Sequence, residues 1–282
     1  MAIPDLVLDG IDRLNPLPIT AQKLVLLLNE EEADFRKIVE VVEYDGAIAS
    51  NLLRVANSIA FGGRVPIKNL KDAVVRLGPT VLLHIIMVEH LRAFGSNAPM
   101  YDLTEDDLWL HGAAASLAVK AMMTEARNAR TIPQISAVAA LIHDIGKLIM
   151  VRYLDCNVSR LRALCEERRC TFVDAEREIL GCDHAEVGGA MARKWGFPES
   201  VRVAIEWHHM VPPPRPSPVL DAVVLSNLAA KKVGVGLGAE GMNIRVDFNG
   251  ALKRLGLEVK GFEKICAQTS IWLKDLRQRQ LN

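Results

Sequence analysis

Only seven histidines occur in the 282 residues: His84, His90, His111, His143, His184, His208 and His209. His143 is followed directly by Asp144 in the run LIHDIGKL. Imidazole next to carboxylate suits a divalent or iron ion, because neutral imidazole is a borderline ligand and the carboxylate supplies charge. Adjacent helical residues project about 100° apart, so one ion can take both only where a helix begins or ends. Gly146, just beyond the pair, fits such an end. Lys147 lies four residues past His143 on the same helix face and can point at an anionic oxygen held by the ion. Asp144 and Lys147 are therefore the candidate catalytic residues.

Each of these groups also has a purely structural reading. Asp107 stands three residues after Thr104 and can close a capping box. Lys147 can complement a helix C-terminus. His184 fits the first position of a helix, and His208–His209 precede the proline run PPPRPSP, where exposure alone accounts for them.

The elements that must position these side chains are helical by their apolar spacing. Ala21, Leu24, Val25 and Leu28 follow the i, i+3, i+4, i+7 pattern, as do Phe35, Ile38, Val39 and Val42, with Asp34 as N-cap. Asp45 caps a third helix through Ile48, Leu52 and Val55, and Asn57–Ser58 turn the chain after it. A loop around Gly62, Gly63 and Pro66 leads to a helix ending at Gly78, and Pro79 opens another that runs to about Phe94. After a linker at 95–101, Thr104 with Asp107 heads the helix carrying His111. Pro133 precedes QISAVAALIHDIGKLIM, and Thr171 with Asp174 and Asp183 with Glu186 form two more capping boxes. Gly181 and Gly196 stop helices. Pro212 to Pro218 cannot be helical. A helix from about Val219 stops near Gly234, a glycine-rich segment holds one short strand at Ile244 to Phe248, and a last helical stretch carries Leu252 to Leu276. The predicted class is all-α, divided as 1–97, 98–234 and a C-terminal extension, 235–282.

Composition narrows the function classes. Hydrophobic residues make up 50% and charged residues 24%, which fits a packed globular chain and argues against disorder. Lys+Arg and Asp+Glu balance at 34 each, so no global field draws the protein to nucleic acid or an anionic membrane. The cluster Arg160, Arg162, Arg168, Arg169 is diluted by Glu166 and Glu167 and reads as a solvated helix face. No signal-peptide pattern opens the chain and no apolar run is long enough to span a bilayer. With five cysteines and no CxxC pair, the expectation is a cytoplasmic protein with reduced thiols.

From about Pro16 to Leu255 the sequence resembles the HDOD family of bacterial signalling domains, within the HD phosphohydrolase superfamily. The resemblance is carried by LPITAQKLVLLLNE, EYDGAIASNLLRVANSIAFG and VPIKNLKDAVVRLG in the first half. LWLHGAAASLAVKAM, AALIHDIGKLIM, ILGCDHAEVGGAMARKWGFP and AIEWHH carry it in the second. It implies two packed helical subdomains, the second an HD-type bundle. Transferred residue by residue, it makes His111, His143 and Asp144 metal ligands, with Asp107, His184, His208 and His209 as further ligands in the two- and three-metal cyclic-dinucleotide enzymes. The implied ion is iron, manganese, magnesium or nickel.

Two departures bear on activity. The closing pattern of the family falls on VVLSNLAA and places Asn227 where an aspartate ligand belongs, an exchange of full charge for a neutral carbonyl that weakens hard-cation binding. Asp221 sits on another face of that helix. The GYP extension of active cyclic-dinucleotide enzymes is also missing. The resemblance therefore implies a stand-alone regulatory module with a weak or vestigial HD site, acting through a signalling partner. The alternative is a metal-dependent phosphohydrolase acting on a nucleotide or cyclic dinucleotide, with Lys147 steadying the phosphoryl oxygens. A third reading is a sensor that binds a nucleotide without hydrolysing it.

Overall fold

The computed structural model describes residues 3–14, 16–30, 34–57, 66–78, 82–83, 85–87, 103–126, 131–153, 158–238 and 240–280. His84, His90, Ser58, Gly62, Gly63, the 95–101 linker, Cys156 and most of the helix expected from Pro79 to Phe94 lie outside them. Every regular element among the described residues is a helix. In chain order these are α1 (Asp5–Asp12), α2 (Ile19–Leu28), α3 (Phe35–Glu43), α4 (Gly46–Ala56), α5 (Leu70–Leu77), α6 (Glu105–Glu125) and α7 (Ile135–Ile142). There follow α8 (Gly146–Tyr153), α9 (Val158–Arg168), α10 (Phe172–Leu180), α11 (His184–Lys194), α12 (Glu199–Trp207), α13 (Pro218–Lys232), α14 (Phe248–Arg254) and α15 (Val259–Gln280). No helix among the described residues is long and apolar enough to cross a membrane.

The chain forms two compact units, one of residues 1–16 with 96–269 and one of 17–95 with 270–282. In the second, Asp34 and Asp45 cap α3 and α4 by accepting from the backbone N–H of Arg36 and Ile48. Asn57, at the end of α4, donates to the Leu53 and Ile67 carbonyls (3.0 and 2.7 Å) and accepts from the Ile67 N–H at 2.6 Å. One amide thus ties the end of α4 to the segment entering α5.

The first unit is built around α7 and α13. All eight residues of α7 are buried and α13 is buried over nearly its whole length, the pattern of helices enclosed on every side. Val138, Leu220, Val223 and Leu225 are fully buried, each contributing about 1.5–3 kcal/mol over exposure. Helix α6 packs against both, and its fully buried Ala114, Ala115 and Ala118 allow close approach. The three capping boxes expected for α6, α10 and α11 are all formed. The arginines of the 160–169 cluster are exposed, as a solvated face requires.

The strand expected at Ile244 to Phe248 is not formed. Residues 244–247 run outside any regular element and Phe248 opens α14. The Ile244 N–H bonds locally to the Met242 carbonyl, and a strand without a partner ladder has no source of stability.

Candidate metal centre

Four helix ends and one loop converge inside the first unit. His111 stands in the second turn of α6. His143, Asp144 and Ile145 make the turn between α7 and α8, and Lys147 lies in the first turn of α8. His184 is the first residue of α11, while His208 and His209 follow the end of α12. The break after α7 depends on Gly146, because a Cβ there would meet the His184 carbonyl oxygen at 1.9 Å and the Gly188 nitrogen at 2.6 Å. A glycine lets the start of α8 press against the start of α11, bringing the 143/144 pair to His184.

Asp144 is the hub. Its Oδ2 lies 3.6 Å from His111 Nε2, and its Oδ1 lies 3.6, 3.2 and 3.6 Å from the Nε2 atoms of His143, His184 and His208. The His111 and His143 Nε2 atoms are 3.3 Å apart, and those of His184 and His209 are 3.1 Å apart. Donor atoms sharing one ion at bond lengths near 2.1 Å are separated by about 3.0–3.5 Å. The donors accordingly form two groups that share Asp144, one of His111, His143 and Asp144, the other of Asp144, His184, His208 and His209.

The outward ring nitrogens fix how these imidazoles point. Nδ1 of His111, His143 and His208 donates to the carbonyls of Val235 (3.0 Å), Ala140 (2.8 Å) and Ile205 (2.6 Å). Nδ1 of His184 donates to Glu176 at 2.8 Å. Where the ring is neutral, the proton assigned to Nδ1 by these partners leaves the lone pair of Nε2 facing the cluster, as metal-ligating histidines are oriented. Burial lowers the pKa of His111 to about 4 and that of His143 well below its usual range, so both rings are neutral. Two lone pairs facing each other at 3.3 Å call for an electrophile between them. The buried Asp144 Oδ1 and His208 Nε2 also have no hydrogen-bond partner, so the donor set fits a metal ion.

The remaining electrostatics are self-compensating. Without an ion, burial opposes it but the Glu176 carboxylate holds His184 charged, its pKa pushed up to about 10, so an ion taking its Nε2 would displace the proton there. Burial likewise opposes ionisation of Asp144, and Lys147 outweighs it, holding that carboxyl well below the usual range. Lys147 Nζ lies 2.7 Å from Asp144 Oδ2 and 3.0 Å from Glu240 Oε2, and the same Glu240 oxygen lies 3.1 Å from Lys231 Nζ. Three carboxylates (Asp144, Glu176, Glu240) thus face Lys147, Lys231 and the charged His184, all buried.

The cluster therefore gathers His111, His143, Asp144, Lys147, His184, His208 and His209. Asp107 stays at the head of α6, where it accepts from the Thr104 N–H and hydroxyl. Asp221 is taken by Arg254, which donates twice to it at 2.7 and 2.8 Å. Asn227 is buried in α13, and its Oδ1 has no hydrogen-bond partner. Three participants escape the motif reading: Glu176, Lys231 and Glu240. Glu176 had a signal, since it falls four residues after Phe172 on the buried face of α10. Lys231 reads from sequence as a cation suited to a helix C-terminus. Glu240 sits in an irregular segment without periodicity, where no local pattern marks it.

An all-helical bundle with imidazoles and one aspartate gathered at a broken helix is an HD-type domain. Residues 14–211 match the family model for the HDOD domain, and the chain belongs to that family. Its fold is similar to that of an HDOD domain protein of unknown function from Geobacter sulfurreducens, at 21% identity and a TM-score of 0.65, covering 98% of this chain and 94% of that one. It is also similar to a protein of Marinobacter aquaeolei VT8, provisionally named for signal transduction, at 19% identity and a TM-score of 0.74, covering 97% of this chain and 64% of that one. An uncharacterised protein of Treponema pallidum (strain Nichols) is 22% identical over 228 residues. That match takes in 80% of this chain, which spans under half the length of that relative, 44%.

Proposed function

We propose that the chain is a regulatory HDOD module that acts through a partner protein, its His/Asp centre serving as a closed ion-holding core rather than a reaction site. The observation that carries this reading is burial. His143 and His184 have no exposure, His111 and His208 have 1%, and Lys147 and Glu240 pair directly beside Asp144. A catalytic metal site keeps one position open to substrate, whereas a structural one is closed by protein groups. A bound ion would supply Lewis acidity and positive charge. The protein's own part is to hold the Nε2 atoms of His111, His143, His184, His208 and His209 together with Asp144, and to exclude water. The neutral amide at Asn227 and the signalling name of the Marinobacter neighbour support the same reading.

One observation favours the alternative of a metal-dependent phosphohydrolase. A pocket of about 420 Å³ has His209 in its wall together with Arg177, Arg245 and Met210, large enough for a nucleotide-sized ligand. The discriminating assay is phosphate release from nucleotides and cyclic dinucleotides with added Mn²⁺ or Fe²⁺, run beside His143→Ala. No turnover above that variant is expected. Turnover that vanishes in His143→Ala would overturn the regulatory reading.

A further inference from the structure

Glu240 is the least expected member of the cluster. It lies beyond the end of α13 and outside the residues matched by the family model, yet it is 4% exposed. Its two oxygens face different surroundings. Oε2 accepts from Lys147 at 3.0 Å and Lys231 at 3.1 Å. Oε1 is buried, has no hydrogen-bond partner, and lies 3.9 Å from His209 Nε2, whose pKa burial holds well below its usual range. A buried carboxylate oxygen without a donor is costly, so its partner has to be accounted for. The surrounding loop is fastened at both ends. The Val235 carbonyl accepts from His111, Gly236 is so close that a Cβ would reach His111 Nδ1 at 2.3 Å, and Lys231 donates to the Gly241 carbonyl at 3.2 Å.

We propose that Glu240 adds a second carboxylate to the centre, its Oε1 moving in from its place 3.9 Å from His209 Nε2, at the edge of the second donor group, to become a ligand to the ion held by Asp144, His184, His208 and His209. The lysines are then positioning residues: by holding Oε2 they turn Oε1 towards His209. An ion so bound gains a second full negative charge beside Asp144. This inference rests on the ion-holding reading of the cluster.

The test titrates chelator-stripped full-length protein with Co²⁺, reading affinity by calorimetry and ligand geometry by visible absorption. Wild type, Glu240→Gln, Glu240→Asp and Asp144→Ala are compared. The expected result is binding to wild type, binding about 10–100-fold weaker with an altered spectrum in Glu240→Gln, and a larger loss in Asp144→Ala. Glu240→Asp keeps a charge for the lysines but withdraws Oε1 from His209, so it should weaken binding even where the glutamine variant fails to fold. Wild-type affinity and spectrum in both Glu240 variants would overturn the proposal while leaving the ion site intact. No uptake by wild type would instead overturn the ion-holding reading beneath it.

Discussion

Glu176→Gln removes the charge that holds His184 protonated while leaving the side-chain volume almost unchanged. In the ion-free protein Glu176 contacts His184 through the backbone N–H at 3.2 Å and through Nδ1 at 2.8 and 3.1 Å, all within the buried interior. Breaking a buried charge pair by neutralising one partner costs about 3–5 kcal/mol, because the other charge is left uncompensated. The loss should also depend on pH. His184 has its pKa raised from 6.5 to about 10 in the folded chain, so its contribution is fully present below pH 6.5 and is lost as pH rises towards 10. In the variant that dependence flattens. The stability gap between wild type and Glu176→Gln should therefore be widest below pH 6.5 and narrow from that plateau by about 3 kcal/mol by about pH 8.5. Urea unfolding in the presence of a chelator at several pH values measures it. A gap under about 1 kcal/mol, or one that does not change with pH, would refute the assignment of a charged His184 held by Glu176.

Other substitutions probe separate links. Gly146→Ala places a Cβ against the backbone where α8 meets α11, and should lower stability by about 1–3 kcal/mol and weaken Mn²⁺ uptake, as thermal unfolding with and without the ion would register. In the other compact unit, Asn57→Ala removes the two hydrogen bonds that tie α4 to Ile67 and a third to the Leu53 carbonyl, and should destabilise by about 1–3 kcal/mol in urea titration, with ion binding unchanged. Asn227→Asp adds a carboxylate on the face of α13 that carries Lys231 one turn later, and should tighten Co²⁺ binding by about tenfold or more in calorimetry. An unchanged affinity there would mean that residue 227 does not face the ion.

Much of the scaffold is written in local pattern. The capping pairs Thr104–Asp107, Thr171–Asp174 and Asp183–Glu186 combine with apolar periodicity to fix where α6, α10 and α11 begin, because each is decided within one helical turn. The break at His143–Asp144 is legible for the same reason: Gly146 sits beside it. What local pattern cannot reveal is partnership across the chain. Glu240 reaches Lys147 over a separation of 93 residues, from a segment whose backbone follows no repeating period. Alternating apolar and polar residues at 244–247 read as a strand but form none, since a strand needs a neighbouring ladder and no spacing rule supplies one. Asp107 shows the converse, since a capping partner and a metal ligand look alike until Thr104 is seen to occupy both of its roles at the head of α6.

The most direct test of the ion-holding centre is anomalous diffraction from crystals of the intact chain grown with Mn²⁺. A peak within bonding distance of Asp144 and the Nε2 atoms of the surrounding imidazoles is the expected result. Rings left in these positions around Asp144 with no anomalous peak among them, at a saturating ion concentration, would contradict it.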